Sequence, residues 1–185
     1  ESQVRNCQFC LVAKAKRLMR HANYTSMKLA APHEGFGIDM WGPTYKSQEG
    51  YKYILTIVDL FHGYTRFIPT MTASANETVW RLNYLFSHVG FPKFILSDQG
   101  SNFNSDLCKE FCKINSIENI YTGSYSPWEL GRVERRHQDL NLAMKSLHRK
   151  ATWPQVIPAL AAQSINNLIS SVTGISPDLV EYGYS

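Results

Sequence analysis

The sequence predicts an α/β domain in which a five-stranded mixed sheet is flanked by helices. Three observations carry this expectation: three successive segments rich in Ile, Val, Tyr, Phe and Thr, a stretch in which helical and strand patterns alternate, and two closing amphipathic patterns. Strands placed before and between helices build a sheet with helical cover.

Segments 36–41, 51–58 and 64–68 read as consecutive antiparallel strands, punctuated by Gly42-Pro43 and Gly63. Ser74-Ala75-Asn76-Glu77 is a capping box. After it Val79, Leu82, Leu85, Phe86 and Val89 recur at helical spacing until Gly90 and Pro92 stop the run. Lys93 to Ser97 is a short apolar strand ending at Asp98. Ser105-Asp106 then caps a helix with Leu107, Phe111 and Ile114 on one face. Asn119 to Thr122 supplies the fifth strand. The Gly, Ser and Pro content of 123–131 predicts a mobile loop before a long helix starting near Arg132. A last helix uses Trp153, Val156, Ile157, Leu160, Ile165, Leu168 and Ile169, with Thr152 and Gln155 as its capping box and Pro158 expected to delay or kink it.

With 185 residues, 44% of them hydrophobic, one substantial core is the expectation. No apolar run of membrane-spanning length and no secretory leader pattern is visible, which predicts a soluble intracellular protein with no membrane partner. The net charge of +4 is unevenly spread. Residues 1–28 carry six bases and one acid, 29–131 seven and ten, 132–150 six and two, and 151–185 none and two. Two basic segments flanking a mildly acidic middle match phosphates approaching two edges with cations between them. Four cysteines are too few for a disulfide scaffold; Cys108 and Cys112 read as small buried hydrophobes.

Three acids stand where rigid elements end or are interrupted. Asp39 breaks an apolar strand, a costly position for a charge without a partner or metal. Asp98 closes a strand before a Gly turn, where open α/β sheets place ligands. Glu134 is expected to open the long helix and face back toward those strand ends. Hard divalent cations take carboxylate oxygens, and a pair of them can activate a nucleophile, stabilise a leaving oxygen and neutralise a phosphate. On the long helix Glu134, Gln138, Asn141, Lys145 and His148 form one polar stripe, separate from an apolar stripe of Val133, Leu140, Met144 and Leu147.

Asp98 and Glu134 are separated by 35 residues. Together with Asp39 this resembles the DDE triad of retroviral and retrotransposon integrases. The local sequences carry the resemblance further: Ile38-Asp39-Met40-Trp41-Gly42-Pro43, Ser97-Asp98-Gln99-Gly100-Ser101-Asn102-Phe103 and Gly131-Arg132-Val133-Glu134-Arg135 each match the family's surroundings for its own carboxylate. The likeness runs on to Asn166-Asn167 and Gly174-Ile175-Ser176-Pro177, and looks closest to gypsy-type long-terminal-repeat retrotransposons.

The resemblance implies an RNase H-like fold and a catalytic core at 31–185. It also implies two reactions at one site, trimming of an element's 3′ ends and their joining to target DNA. Asp39, Asp98 and Glu134 would be both catalytic and metal-binding, with two Mg²⁺ or Mn²⁺ ions; Asp39 and Asp98 would hold one, and Asp39 and Glu134 the other. Tyr125 and Pro127 fall in the family's catalytic loop, and Asn102 near the target strand; Trp128 offers a stacking surface. Where retroviral relatives place Lys beyond the glutamate, this chain has Gln138 and Asn141, so DNA-end recognition would rest on Arg132, Arg135, Arg136 or Lys145. Cys7 and Cys10 resemble the end of a His-His-Cys-Cys zinc domain, making 1–30 a remnant and linker that would bind Zn²⁺ only with an upstream His pair; His21 and His33 are too widely spaced to replace it. DNA ends, target DNA and further copies of the chain are the implied partners, in the nucleus or a virus-like particle. The alternatives are a domesticated or truncated integrase that binds DNA or protein without catalysis, and an RNase H-type nuclease.

Overall fold

The computed structural model describes residues 29–122, 127–146, 153–170 and 173–183. Strands β1 (Gly35–Trp41), β2 (Tyr53–Asp59) and β3 (Thr65–Thr70) form an antiparallel meander. Helix α1 (Ala75–Val89) crosses to β4 (Phe94–Ser97), and α2 (Asp106–Ile114) crosses to β5 (Glu118–Tyr121). The strands order as β3-β2-β1-β4-β5, with β4 parallel to both β1 and β5, giving the expected five-stranded mixed sheet. Helices α3 (Pro127–Ser146), α4 (Trp153–Asn166) and α5 (Pro177–Tyr182) follow. Among the described residues no helix is long and apolar enough to cross a membrane.

Alternation along the strands sorts the two faces. Phe36, Ile38, Leu55, Ile57 and Ile95 point to one side, against Leu82 and Phe86 of α1 and Cys108, Phe111 and Cys112 of α2. Ile54 and Phe67 point to the other, against Leu140 of α3 and Trp153, Ile157, Ala161 and Ile165 of α4. Each buried Leu, Ile or Phe among them contributes about 1.5–3 kcal/mol by leaving water.

Local sequence explains most boundaries. Ser74 accepts from the Glu77 N–H at 3.3 Å and starts α1, while the Glu77 carboxylate reaches back to the Met71 and Thr72 N–H groups at 2.9 and 2.8 Å. Ser105 caps α2 through Cys108. The buried stripe of α2 is Cys108, Phe111 and Cys112, whereas Leu107 and Ile114 are exposed, because the two cysteines one turn apart complete the apolar face.

Three other expectations change. Helix α3 begins at Pro127, not near Arg132, because proline's fixed φ suits the first helical position. Gly131 is carried inside it with no heavy atom within 4 Å of a would-be Cβ. The predicted loop shrinks accordingly, and its residues 123–126 lie outside the described set. Helix α4 runs continuously through Pro158 and stops at Asn166, leaving Leu168 and Ile169 exposed. Asn166 instead closes the sheet edge, its side chain accepting from the Thr65 N–H at 2.8 Å and donating to the Thr65 carbonyl at 2.9 Å. Helix α5 was not foreseen; Ser176 caps it, Pro177 is its first residue and Gly183 ends it in the left-handed region at φ 72°.

Candidate active site

The strand register sets the site. Gly35 pairs with Phe94 and Gly37 with Leu96, so the same parallel register carried two residues further sets Asp39 beside Asp98. Asp39 lies directly opposite Thr56 of β2, on the face that α3 covers. Gly37 allows the helix to come close: a Cβ there would stand 2.6 Å from Val133 Cγ2. Val133 is fully buried, and the next residue, Glu134, is exposed. Glu134 therefore sits about two turns inside α3 rather than at its start.

Asp39 feels both other carboxylates. Asp39 is pushed up to about 6, first by burial, then by the charges of Asp98 and Glu134, against the pull of its hydrogen bond from Met40. Its Oδ1 takes the Met40 N–H at 2.7 Å. Asp98 Oδ1 takes the Gly100 N–H at 2.9 Å. A Cβ at Gly100 would come within 2.9 Å of Asp98 Oδ1 and 2.8 Å of Asn102 Oδ1, so only glycine lets these two side chains share the turn. Asn102 is 8% exposed, and its Nδ2 is buried without a hydrogen-bond partner, so this residue lies beside Asp98 and not on the open surface.

The donor set is of the kind a hard divalent cation takes: three carboxylates, with no Lys or Arg side chain paired to them among the described residues. Among the described residues, no group of three or more His, Cys, Asp or Glu side chains stands close enough together to hold a metal ion. Asp39 and Asp98 each have an oxygen turned to a backbone N–H instead.

One neighbour was missed in the sequence. His137 places Nε2 3.0 Å from Thr56 Oγ1 and Nδ1 3.5 Å from Asp39 Oδ2. Burial holds its imidazole down at about 4, so it is neutral at pH 7. The signal was its spacing: four residues after Val133 and three before Leu140, both fully buried, it falls in the apolar stripe.

Of the other expected contacts, Arg135, Gln138 and Lys145 are exposed along α3, Asn141 is half-buried, and Arg136 pairs with Asp139 at 3.4 Å. Pro127, Trp128 and Arg132 lie in α3, but their side chains are outside the described set, as are Tyr125, His148, Cys7 and Cys10 altogether.

Charges gather a second time at the carboxyl end of β2. Asp59 accepts from the N–H groups of Phe61 and His33, each at 2.7 Å, fixing the β2–β3 turn. His62, fully buried, stands 3.1 Å from Asp59 and 3.1 Å from Glu181 of α5. Glu181 also meets His33 at 2.9 Å and Arg66. Burial alone would neutralise His62, but its contacts with Asp59 and Glu181 outweigh it and raise the ring to about 9. Burial likewise opposes the charge on Glu181, yet His62, His33 and Arg66 lower it to about 2.

No family model matches the chain. It is 31% identical over 182 residues to the Pro-Pol polyprotein of simian foamy virus type 3, covering 97% of this chain and 16% of that protein. It is 26% identical over 194 residues to the Tf2-3 transposon polyprotein of Schizosaccharomyces pombe, covering all of this chain and 14% of that protein. The chain thus spans about a sixth or less of these relatives' length. Its fold matches the catalytic core domain of HTLV-2 integrase, solved in complex with magnesium in a trimeric form, with a TM-score of 0.65, 22% identity and coverage of 84% of this chain and 100% of that one. The chain is therefore similar in sequence to polyproteins of a foamy virus and a transposon, and it has the fold of a retroviral integrase catalytic core.

Proposed function

We propose that this core is a divalent-metal-dependent polynucleotidyl transferase that trims the 3′ ends of element DNA and joins them to target DNA. The observation that carries the reading is the parallel β1–β4 register, which carried on sets Asp39 beside Asp98, with Glu134 of α3 near enough for its charge to reach Asp39. Like charges held together on rigid elements cost stability, and that cost is offset when cations bind.

Asp39, Asp98 and Glu134 would hold two Mg²⁺ or Mn²⁺ ions, with Asp39 common to both. When bound, such a pair supplies charge neutralisation and activation of the attacking oxygen. The chain's own groups do the rest. The Gly100 and Met40 N–H groups orient the two aspartates. Arg135, Gln138, Asn141 and Lys145 give α3 a polar and basic face toward DNA phosphates, and Arg132 of the same helix is read as a further contact. Pro127 and Trp128 open that helix and Tyr125 precedes them in sequence; all three are read as contacts to a DNA end, Trp128 by stacking. Asn102, buried beside Asp98, would act on DNA through that carboxylate's setting. Cys7 and Cys10, within residues 1–30, are read as two ligands of a zinc site that a His pair would complete. A homo-oligomer acting on DNA in the nucleus or a virus-like particle completes the reading.

A strand-transfer assay on short duplexes with Mg²⁺ or Mn²⁺ tests it. Wild type is expected to join DNA ends, and Asp39→Asn to fall to background; joining by Asp39→Asn at the wild-type rate would refute the assignment. The second reading, a domesticated module that binds DNA or protein without catalysis, is favoured by one observation: among the described residues no metal-binding group is gathered. Duplex binding by wild type with no joining under either metal would decide for it.

A further inference from the structure

We propose that His137 is a positioning residue for Asp39, donating from Nδ1 to the Asp39 carboxylate while Thr56 fixes the imidazole through Nε2. This rests on the reading of Asp39 as a metal-binding carboxylate.

The geometry comes from three elements. Asp39 and Thr56 are direct partners in the β1–β2 ladder, so their side chains project to the same face. His137 descends on that pair from α3, flanked along its stripe by the fully buried Val133 and Leu140. Its Nε2 lies 3.0 Å from the hydroxyl of Thr56, which is itself fully buried, and its Nδ1 lies 3.5 Å from Asp39 Oδ2.

A neutral imidazole carries one proton, and its two neighbours select where. A carboxylate oxygen can only accept, so a bare Nδ1 lone pair facing Asp39 would be repelled. A threonine hydroxyl can donate or accept. The arrangement in which every group is satisfied has the Thr56 hydroxyl donating to Nε2 and Nδ1–H directed at Asp39. Asp39 then meets a donor at each oxygen: Oδ1 takes the Met40 N–H at 2.7 Å, and Oδ2 lies 3.5 Å from His137 Nδ1. Outer partners of this kind set the orientation of a metal-ligating side chain, and their loss typically costs roughly 10- to 100-fold in metal affinity or activity.

Two measurements on the whole chain test the assignment. Long-range ¹H–¹⁵N spectra of the metal-free protein are expected to show His137 as the Nδ1–H tautomer; the Nε2–H tautomer overturns the proposal, whatever the activity. Calorimetric titration of Mn²⁺ is expected to show His137→Leu, which keeps volume but lacks the donor, weakened by roughly 10- to 100-fold. His137→Asn, with an amide donor near the Nδ1 position, is expected to recover most of that affinity. A folded His137→Leu protein that binds Mn²⁺ as wild type does, while Asp39→Asn does not, overturns the role of His137 and leaves the metal reading standing. Absence of Mn²⁺ binding by wild type overturns both.

Discussion

The two ends of the sheet, one around Asp39 and Asp98 and one around Asp59, carry charge in opposite ways. At one end Asp59, His62, Glu181, Arg66 and His33 form a buried set in which each acid faces a base, and His62 and Glu181 are both driven toward their charged forms. At the other, Asp39 faces Asp98 and Glu134, and is driven toward its neutral form. The first cluster is complete within the chain and fastens α5 to the sheet. The second is a concentration of like charge that, among the described residues, has no cationic partner. Structural charge and functional charge are told apart here by whether the chain itself supplies the counter-ion.

The largest effect is expected from breaking the satisfied end. Glu181→Ala removes the partner of three bases at once, and loss of one member of a buried ion pair costs about 3 kcal/mol or more. A lowered melting temperature and faster amide exchange in α5 are the expected readouts. The pH dependence has a definite window. His62 is raised from 6.5 to about 9, so its contribution is whole below 6.5 and lost as pH rises through about 9. Glu181 is lowered from 4.5 to about 2, so its contribution is whole above 4.5 and lost as pH falls from there toward about 2. The gap in stability between wild type and Glu181→Gln should therefore be widest between pH 4.5 and 6.5. A gap that does not vary with pH would mean that Glu181 acts by packing alone.

A smaller effect, bearing on how the unsatisfied end is built, is expected from Gly37→Ala. The added methyl would stand 2.6 Å from Val133 Cγ2 and 3.2 Å from Leu60 Cδ2, so α3 must lift from the sheet. Overpacking of this kind costs about 1–3 kcal/mol. Glu134 and His137 ride on the same helix, so strand transfer should fall by more than the stability loss explains; equal losses would show that the α3 approach is not tuned for the site.

The two ends also differed in how far they could be read from sequence. The carboxylate end was legible because each acid sits in a local context with its own meaning: a charge inside an apolar strand, a strand end before Gly100, and a helix reached after a Gly- and Pro-rich stretch. The paired end was not, because Glu181 lies 119 residues from His62 and 115 from Arg66, and nothing local to Pro177–Tyr182 names those partners. The strands and the caps at Ser74 and Ser105 followed from alternation and side-chain chemistry. The start of α3 did not, because Gly131 reads as a breaker, although a helix interior tolerates glycine at about 1 kcal/mol relative to alanine. His137 was passed over because a polar residue in an apolar stripe declares its role only once Thr56 and Asp39 are across from it.

The smallest effect has the opposite sign and separates the two ends most directly. Asp39 is raised from 3.8 to about 6, so the folded state holds that proton more tightly than the unfolded chain does. Folding is then penalised progressively as pH rises from 3.8 to about 6, and the penalty persists above that. Asp39→Asn removes the charge and should stabilise the metal-free protein at pH 7 by about 1 kcal/mol once solvent screening is allowed for, with no gain below about pH 4. That corresponds to a melting temperature higher by about 2–4 °C for a chain of this size. Mg²⁺ should reverse the order. A ligand that binds only the folded state adds about 2.7 kcal/mol at a hundred times its dissociation constant, and the wild-type carboxylates can collect that stabilisation while Asp39→Asn cannot. Melting curves of the two proteins that cross as Mg²⁺ is added would mark Asp39 as a carboxylate kept at a cost for a cation. Curves that stay parallel would reduce it to an acid like Asp59, held in place for structure.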